Sequence, residues 1–230
     1  MDYNRNAKYF KPKPSIKTMA IILVVGLVTA SFTMGIGLII AIAIIVMLCV
    51  GRPADQEIDK MAAELAGGLQ QRALDKLGLD EDQVKQAAPI SFWGWSFGKS
   101  KLNDDANNKA HDIVGKDQVR RSPIIDITWL FFTATEIQVY VKTCSLVSAL
   151  TQEYTESHFY KTIVSVKTQS REVQLVDRRT GLELPNQKAK IETFVLRNTG
   201  GEDICMSVQD TILAENSVKA MRNLLREKQA

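Results

Sequence analysis

Histidine and cysteine, the side chains that most often hold transition metals, are scarce in this 230-residue chain, which has two histidines and three cysteines. Neither His111, in a polar stretch, nor His158, beside an expected strand, stands at metal-ligand spacing from another histidine or cysteine. No glycine-rich phosphate loop, nucleophile elbow or CxxC motif occurs either. The sequence therefore predicts a protein that is not an enzyme and that uses no metal or other cofactor.

The three cysteines are also too few for a disulfide scaffold. Cys49 ends a long apolar run, which leaves only Cys144 and Cys205 as a candidate pair. Small domains that depend on disulfides are dense in cysteine. This cysteine usage favours a reducing compartment.

A strong charge of one sign is missing as well, since 29 basic residues face 26 acidic ones, for a net charge of +3. Such a small excess gives no footprint of nucleic-acid binding, so we expect no nucleic-acid partner. The charge is uneven, because residues 1–17 hold five basic side chains against the single acid Asp2. A basic segment before an apolar run is typical of the cytoplasmic flank of a membrane helix.

Residues 19–50 contain no charged residue, no amide and no proline. The run is about twice the length of the apolar region of a signal peptide, which is about 7 to 15 residues. Because about 20 helical residues span the hydrocarbon core of a bilayer, the run predicts a membrane segment over residues 18–51. It is either one long span, which the basic front flank favours, or a hairpin of two spans, which the length favours.

The hairpin alternative has support in the middle of the run. Hydroxyl residues and glycines gather there, and a turn fits at Phe32–Gly35. Each arm then has about 15 residues, or about 22 Å of helix. The small residues Gly26 with Ala30, and Gly37 with Ala41, recur at four-residue spacing and would let two arms pack closely. One such pair on an isolated helix could equally serve dimerisation.

Residues 52–88 follow the apolar run and carry helical periodicity. Pro53 can open a helix, and apolar residues then recur at three- and four-residue steps from about 55 to 77. The Gly67-Gly68 pair weakens the middle of this helix, and a second short helix ends before Pro89. The segment is either a docking arm for a partner or a helix pair packed on the neighbouring domain.

The period changes to that of strands after Pro89. The polar stretch KSKLNDDANNKAHDIVGKDQ, residues 99–118, indicates a long loop or a partly disordered insertion. A final helix is predicted at about 212–228, with Val218, Met221 and Leu225 facing the core. Seven strands are expected before it, at residues 90–97, 124–132, 136–144, 159–168, 172–177, 189–198 and 203–208.

Seven strands followed by one amphipathic helix is the order of the pleckstrin-homology (PH) superfold. The runs WLFFTATEIQVYVK and ESHFYKTIVSVKT resemble bacterial PH-like domains, in which a threonine turn, here residues 133–136, leads into the second of two strands. The run ALDKLGLDEDQVKQAAPISFWGW is similar to the juxtamembrane segment of bacterial membrane proteins that bear such domains. The resemblance implies an antiparallel PH-like barrel, commonly cytoplasmic, and so favours the hairpin.

Some PH-like domains hold anionic headgroups between their first strands, which draws attention to two basic pairs. Lys99 and Lys101 follow the first expected strand, and Arg120 and Arg121 precede the second. A fold that joins these strand ends would bring four cations together. They are a candidate contact for an anionic lipid or an acidic partner, although solvated loop charges would look the same.

A second basic group lies on the final helix, at steps of three and four residues. Lys219, Arg222 and Arg226 are expected to form an outward stripe. The stripe could bind an anionic surface, or it could only complement the negative end of the helix dipole.

Together these observations predict an α+β protein in the cell (inner or plasma) membrane, with its soluble domain in the cytoplasm. The expected parts are a basic tail at 1–17, a membrane hairpin or single span at 18–51, a helical segment at 52–88 and a PH-like domain at 89–230. The expected function is a membrane-anchored interaction module without catalysis, whose partners are the lipid bilayer and a protein or a second copy. The alternatives are a sensor of anionic lipid, and an enzyme or complex subunit of a type that the sequence does not reveal.

Overall fold

The computed structural model describes residues 1–12, 15–32, 36–49, 51–84, 87–97, 102 and 105–229. The fold is α+β, with antiparallel sheets of four, two and three strands. Short 3₁₀ turns lie at Glu81–Val84 and Tyr160–Thr162. The helices are α1 (Tyr3–Tyr9), α2 (Ile16–Phe32), α3 (Ile36–Cys49), α4 (Asp55–Gly67), α5 (Gln70–Leu77), α6 (Asp105–Lys109) and α7 (Thr211–Gln229).

The strands form three sheets. A four-stranded sheet has the order β1-β4-β5-β6, a three-stranded sheet has the order β7-β8-β9, and β2 pairs with β3 alone. The strands are β1 (Ile90–Trp95), β2 (Ile113–Val114), β3 (Arg120–Arg121), β4 (Ile124–Phe132), β5 (Glu136–Ser145), β6 (Thr151–Phe159), β7 (Ile163–Val176), β8 (Glu183–Asn198) and β9 (Asp203–Val208).

The four-stranded sheet is the middle layer, because its alternating side chains belong to two different cores. Along β4, Ile127 and Trp129 pack toward α4 and α5, and the Trp129 indole donates to the Ala66 carbonyl oxygen at 3.1 Å. Their neighbours Leu130 and Phe132 pack toward the three-stranded sheet and α7. The predicted threonine turn joins β4 to β5, since the Glu136 backbone N–H donates to the Thr133 hydroxyl at 3.2 Å.

The two larger sheets meet where β1 runs beside β9. The Gln209 backbone N–H donates to the Trp93 carbonyl oxygen at 2.8 Å. A Cβ on Gly94 would lie 2.6 Å from the Ser207 Cβ, so only glycine allows this approach. Beyond Gly94 the sheets separate, and the space between them becomes a cavity.

The basic segment at the amino terminus packs into the domain. Tyr9 is 6 % exposed and Phe10 is fully buried, both in the core beneath the four-stranded sheet. The buried Asn6 amide donates to the Leu146 carbonyl oxygen at 2.9 Å, and the His111 backbone N–H donates to the Phe10 carbonyl oxygen at 2.8 Å. Residues 1–10, expected as part of a tail, therefore complete the core.

The apolar run divides into α2, of 17 residues, and α3, of 14 residues, on either side of the predicted turn. At 1.5 Å per residue they are about 25 Å and 21 Å long, against a hydrocarbon core of about 30 Å. No helix in the described part of the chain has both the length and the apolar character needed to cross a membrane. The predicted membrane span, as hairpin or as single helix, is therefore wrong, and the predicted location in the cell membrane is wrong with it.

The strand prediction also needs correction, because the described residues form nine strands. Most of the runs 159–168 and 172–177 belongs to one strand, β7. Strand β6, which ends at Phe159, was not expected. The stretch expected as a loop contains α6 and β2, and β3 follows it. The helix expected over 55–77 is broken at the glycine pair into α4 and α5. The final helix is confirmed, with Val218, Met221 and Leu225 buried.

Helix α5 is held to the four-stranded sheet by Glu153 on β6. The Arg72 guanidinium donates to its carboxylate through two nitrogens, at 3.1 and 3.0 Å, and the Tyr140 hydroxyl donates at 2.6 Å. Hydrogen bonds from Arg72 and Tyr140 lower the pKa of the Glu153 carboxyl to about 2. The ionised form is therefore stabilised by folding.

Glu153→Gln is expected to lower the free energy of unfolding by about 2 kcal/mol at pH 7, because the charged partner of Arg72 is lost. The folded pKa lies below the ordinary value of 4.5. The contribution of Glu153 is therefore complete above about pH 4.5 and is lost as the pH falls toward 2. Urea unfolding of both proteins between pH 7 and pH 3 measures the difference. A difference that stays constant over this range would contradict the assignment.

Candidate functional site

Arg121, one of the four cations expected to gather at the strand ends, is a structural residue. Its side chain is 1 % exposed. The guanidinium donates to Asp59 on α4 at 2.7 and 2.6 Å, and to Asp117 at 2.9 and 2.6 Å. It fixes the β2–β3 hairpin to α4 and offers no surface to a ligand.

Arg120 has the opposite environment, because successive residues of a strand point to opposite faces. It is half-buried and lines a cavity of about 400 Å³ between the end of β1, the β2–β3 turn, β8 and the end of β9. Its guanidinium forms no side-chain hydrogen bond or ion pair with any residue that the structure describes. We call this space the basic cavity, defined by Trp95, Phe97, Arg120, Lys188, Lys190 and Glu192.

Trp95 and Phe97 form the aromatic wall of the basic cavity. Trp95 is 4 % exposed, and its indole N–H is buried without a hydrogen-bond partner in the part of the chain that the structure describes. A buried donor without a partner costs about 1 to 3 kcal/mol. Three further residues of the lining carry neutral hydrogen-bond donors. They are Gln118 in the β2–β3 turn, Ser207 on β9 and Gln209 just after β9.

The opposite wall comes from β8, beyond the end of β9. The last pair between these strands joins Glu192 to Val208, so residues 183–191 have no ladder partner in β9. Lys188 and Lys190 alternate along this part of β8 and line the cavity. With Arg120 they are the three basic residues of the lining, and Glu192 is its acidic residue. Two acids outside the lining also face these cations, since Glu172 pairs with Lys188 and Asp112 lies near Arg120.

Among the residues that the structure describes, the two lysines are held by exposed ion pairs. The Lys188 ammonium lies 2.9 Å from the Glu172 carboxylate, with both side chains more than half exposed. Lys190 is 72 % exposed and lies 3.9 Å from Glu192. Pairs of this kind contribute at most about 1 kcal/mol, so both side chains are free to turn toward an anion.

A buried polar network holds the chain on either side of Arg120. The Arg178 guanidinium donates to Asp112 at 2.9 Å, to the Ser122 hydroxyl at 2.7 Å and to the Ser96 carbonyl oxygen at 2.8 Å. Burial raises the pKa of the Asp112 carboxyl, and the neighbouring Arg178 opposes that rise. The network ties the turn after β7 to the segment that carries β3, and it fixes one wall of the basic cavity.

The remaining basic candidates are not brought to this cavity. Lys99 and Lys101 lie outside the described residues. Lys219, Arg222 and Arg226 are exposed on α7, as a stripe on the outer side of the helix. Arg222 donates through two nitrogens to the Val166 carbonyl oxygen, at 3.2 and 2.9 Å, so one member of the stripe is engaged with β7.

The small residues of the apolar run lie between α2 and α3. A Cβ on Gly26 would lie 2.4 Å from the Ala41 Cβ. A Cβ on Gly37 would lie 2.9 Å from the Ala30 backbone nitrogen. These glycines allow the two helices to touch along their backbones. Gly35 lies outside the described residues.

The outer faces of α2 and α3, which we call the apolar hairpin, carry large apolar side chains. Seven in α2 and six in α3 are between 38 % and 81 % exposed, with Ile21 at 63 % and Ile39 at 69 %. The base of the hairpin is closed, because the Arg52 guanidinium donates to the Lys11 and Pro12 carbonyl oxygens at 2.9 and 3.2 Å. The apolar hairpin is therefore an insertion between α1 and α4, whose ends meet.

The sequence pointed to Arg120 but missed the rest of the basic cavity. Lys188 and Lys190 are almost 70 residues away along the chain and carry no motif. Trp95 lies in the strand expected at residues 90–97, yet its unpartnered N–H depends on the packing around it. Alternation of Lys188 and Lys190 on one strand was the only available signal, and many solvated strands show it.

Comparison of the chain with known protein families, curated proteins and solved structures finds no match. The resemblance to bacterial PH-like membrane proteins stays a prediction. Function is therefore argued from the two surfaces themselves.

Proposed function

We propose that the protein is a non-catalytic interaction module that assembles with further copies of itself through the apolar hairpin. The observation that carries this proposal is the set of thirteen large apolar side chains, each 38 % to 81 % exposed, on α2 and α3. The largest apolar patch on a typical monomer is about 300 to 600 Å², and larger patches are typical of interaction sites.

The chemistry of the hairpin restricts its partner. Residues 19–50 carry no charge, so the surface offers neither ion pairs nor side-chain amides to a polar partner. Helices that are apolar on all sides are buried inside an assembly. A second copy of the chain offers an apolar surface of the same length. A standard interface needs about 800 Å² from each partner.

The charges at the base of the hairpin indicate how two copies would pack. Lys8, Lys11, Lys17 and Arg52 lie near this base, and Arg52 is held there by the carbonyl oxygens of 11 and 12. Parallel hairpins would place two such groups side by side. Antiparallel hairpins would separate them by about 25 Å, which exceeds the Debye length of about 8 Å at physiological salt. We therefore favour antiparallel packing.

The test compares two double variants of the full chain by light scattering after size-exclusion chromatography. Ile21→Glu with Ile39→Glu places two charges on the apolar hairpin. Leu182→Glu with Ile212→Glu is the matched control, since these side chains are 68 % and 72 % exposed outside it. The wild type and the control are expected at a multiple of the 25.7 kDa chain mass, and the hairpin variant at the mass of one chain.

Three outcomes would contradict self-association. The wild type could have the mass of one chain at micromolar concentration, or the hairpin variant could keep the mass of the wild type. The third is a wild type that sediments as single chains with neutral phosphatidylcholine vesicles, which would show that the apolar hairpin is covered by lipid. Circular dichroism of each variant establishes that the domain is folded.

A further inference from the structure

The four-stranded sheet ends in a strand whose outer edge is open. Strand β6 is the last in the order β1-β4-β5-β6, and its nine residues pair with β5 without a bulge. The opposite edge strand, β1, lies beside β9, where the Gln209 backbone N–H donates to the Trp93 carbonyl oxygen at 2.8 Å. In the part of the chain that the structure describes, no strand pairs with the outer side of β6.

The hydrogen bonds at the two ends of the β5–β6 pair show which backbone groups of β6 point outward. The Ser145 N–H donates to the Leu150 carbonyl oxygen at 3.1 Å, and the Tyr160 N–H donates to the Thr135 carbonyl oxygen at 3.2 Å. Because successive residues of an edge strand bond alternately inward and outward, the even-numbered residues of β6 bond to β5. Odd-numbered residues direct their N–H and C=O groups outward, where the described residues offer no hydrogen-bond partner. The central ones are Glu153, Thr155 and Ser157.

The start of the edge of the three-stranded sheet, in contrast, is covered by side chains of α7. Arg222 donates to the Val166 carbonyl oxygen at 3.2 and 2.9 Å. The Gln229 side-chain amide donates to the Tyr160 and Ile163 carbonyl oxygens at 2.7 and 2.9 Å. Other edge strands are protected by lysine, proline or a bulge, and β6 has none of these. Its edge can therefore accept another strand.

Two side chains of β6 indicate what an added strand would carry. Tyr154 is 48 % exposed, and the Glu156 side chain is 39 % exposed on the same face. Glu156 contacts the His158 ring at 3.1 Å and pairs with no lysine or arginine of the described residues. Glu153, on the other face, is already paired with Arg72. The edge therefore favours a strand with a cation opposite Glu156 and an apolar side chain opposite Tyr154.

We propose that β6 binds an extended segment of another protein, which becomes a fifth, antiparallel strand of the four-stranded sheet. Backbone hydrogen bonds supply the affinity of such an addition, and alternate side chains supply its specificity. In an antiparallel pairing, the basic residue opposite Glu156 comes two positions before the apolar residue opposite Tyr154. The ligand is therefore a peptide that carries a basic residue, any residue and an apolar residue in succession. This surface is separate from the apolar hairpin, and its partner is a different chain.

A second copy of β6 is a poor occupant because of its charges. Two β6 strands that overlap along their whole length cross at Thr155, so Glu156 of each copy lies opposite Tyr154 of the other. The two copies of Glu156 are then diagonal neighbours about 7 to 8 Å apart, and β6 contains no lysine or arginine to separate them. A partner that brings its own basic residue replaces this repulsion by attraction.

The test uses a nine-residue peptide of threonine and serine that contains one lysine and, two residues later, one valine. The peptide is titrated calorimetrically into the full-length protein. Replacement of its lysine by glutamate is expected to weaken binding by about tenfold, because like charges then face each other across the strand pair. Glu156→Lys is expected to reverse this preference, so that the glutamate peptide binds more tightly.

A backbone variant tests strand addition itself. Thr155→Pro removes an outward N–H that β5 does not use, and proline is tolerated at such positions of an edge strand, so the sheet is kept while peptide binding is lost. Thr155→Val keeps this N–H and is the matched control, which is expected to bind the peptide as the wild type does. Circular dichroism of both variants establishes that they are folded.

Hydrogen exchange gives a readout with a period of two residues. Without peptide, the amides of Glu153, Thr155 and Ser157 are expected to exchange freely, whereas those of Tyr154 and Glu156 are protected by their bonds to β5. Saturating peptide is expected to slow exchange of the first three amides at least tenfold. The other two are the internal control and are expected to stay unchanged.

Other outcomes would overturn the proposal. Equal affinity for the lysine and glutamate peptides would show that Glu156 does not face the ligand, and unchanged exchange at the three outward amides would show that the peptide binds elsewhere. Protection of these amides without peptide, rising with protein concentration, would assign the edge to a second copy. Ile21→Glu with Ile39→Glu is expected to bind the peptide normally, so that failure of self-association and failure of this edge are separate results.

Discussion

Phe10→Ala is expected to lower the free energy of unfolding by about 3 to 5 kcal/mol, the usual cost of removing a large buried aromatic side chain. Phe10 is fully buried and contacts the Tyr9 ring at a centroid distance of 4.9 Å. Its removal leaves a cavity beneath the four-stranded sheet, which the surrounding core fills only in part. Urea unfolding at pH 7, followed by tryptophan fluorescence, measures the change.

The control for this variant is Phe159→Ala. Phe159 is 51 % exposed at the end of β6, and its removal is expected to cost less than about 1 kcal/mol. If the two variants lose the same small amount of stability, the amino-terminal segment is not part of the core. Removal of residues 1–10 would then also leave the unfolding transition unchanged.

Arg121→Met is expected to cost about 3 kcal/mol, the lower end of the range for breaking a buried ion pair. The value is at the lower end because Asp59 and Asp117 are 35 % and 43 % exposed, so water can solvate them in part when the guanidinium is gone. Methionine keeps most of the side-chain volume, and the loss therefore reports charge and hydrogen bonds more than packing. Chemical denaturation at pH 7 measures it.

The neighbouring arginine provides the control. Arg120→Met is expected to change the free energy of unfolding by less than about 1 kcal/mol, since Arg120 forms no side-chain hydrogen bond or ion pair with the described residues and only a longer-range interaction with Asp112. Adding Asp59→Asn and Asp117→Asn to Arg121→Met is expected to restore part of the loss, because no unpaired carboxylate then remains. Equal effects of the two arginine substitutions would show that the guanidinium of Arg121 is not the link between β3 and α4.

The Arg121 substitution has a spectroscopic consequence too. The hydrogen bond from Arg121 lowers the pKa of the Asp117 carboxyl to about 2. In Arg121→Met this pKa is expected to rise toward its ordinary value of 3.8. Carbon-13 chemical shifts of the Asp117 carboxyl, followed from pH 6 to pH 2, would show the change.

The parts of the fold that sequence predicted well are those in which one face is apolar. The last helix shows this, since its apolar stripe includes Val218, Met221 and Leu225, and all three are buried. Strand β6 was missed because its residues are nearly all polar on both faces, and it forms the outer edge of its sheet. Its place comes from hydrogen bonds to β5, which side-chain pattern does not reveal.

The apolar run shows a different failure. Its composition is that of a membrane span, but two helices of 17 and 14 residues replace one of 32, and neither is long enough. The prediction of a membrane span failed on helix length, which depends on where the chain turns. The turn predicted at Phe32–Gly35 falls between the end of α2 at Phe32 and the start of α3 at Ile36, and residues 33–35 lie outside the described part of the chain.

The site was predictable only in part, because neighbouring arginines have opposite roles. Sequence offers no reason why Arg121 and not Arg120 enters the core. The answer depends on the strand register and on Asp59, which lies 62 residues earlier. Lys188 and Lys190 reach the cavity through pairing of β8 with β7, a contact that forms only in the folded domain.

The contact between Asn6 and Leu146 sets an order of events during synthesis. The two residues are 140 positions apart, and ribosomes add about 5 to 20 residues per second, so α1 waits on the order of ten seconds for its partner. During that time the apolar hairpin and Phe10 are both exposed on an incomplete chain. We expect nascent chains that end before Leu146 to bind a chaperone, and chains that extend beyond Leu146 to release it. Helix α1 is in this way synthesised well before the end of β5, on which it packs.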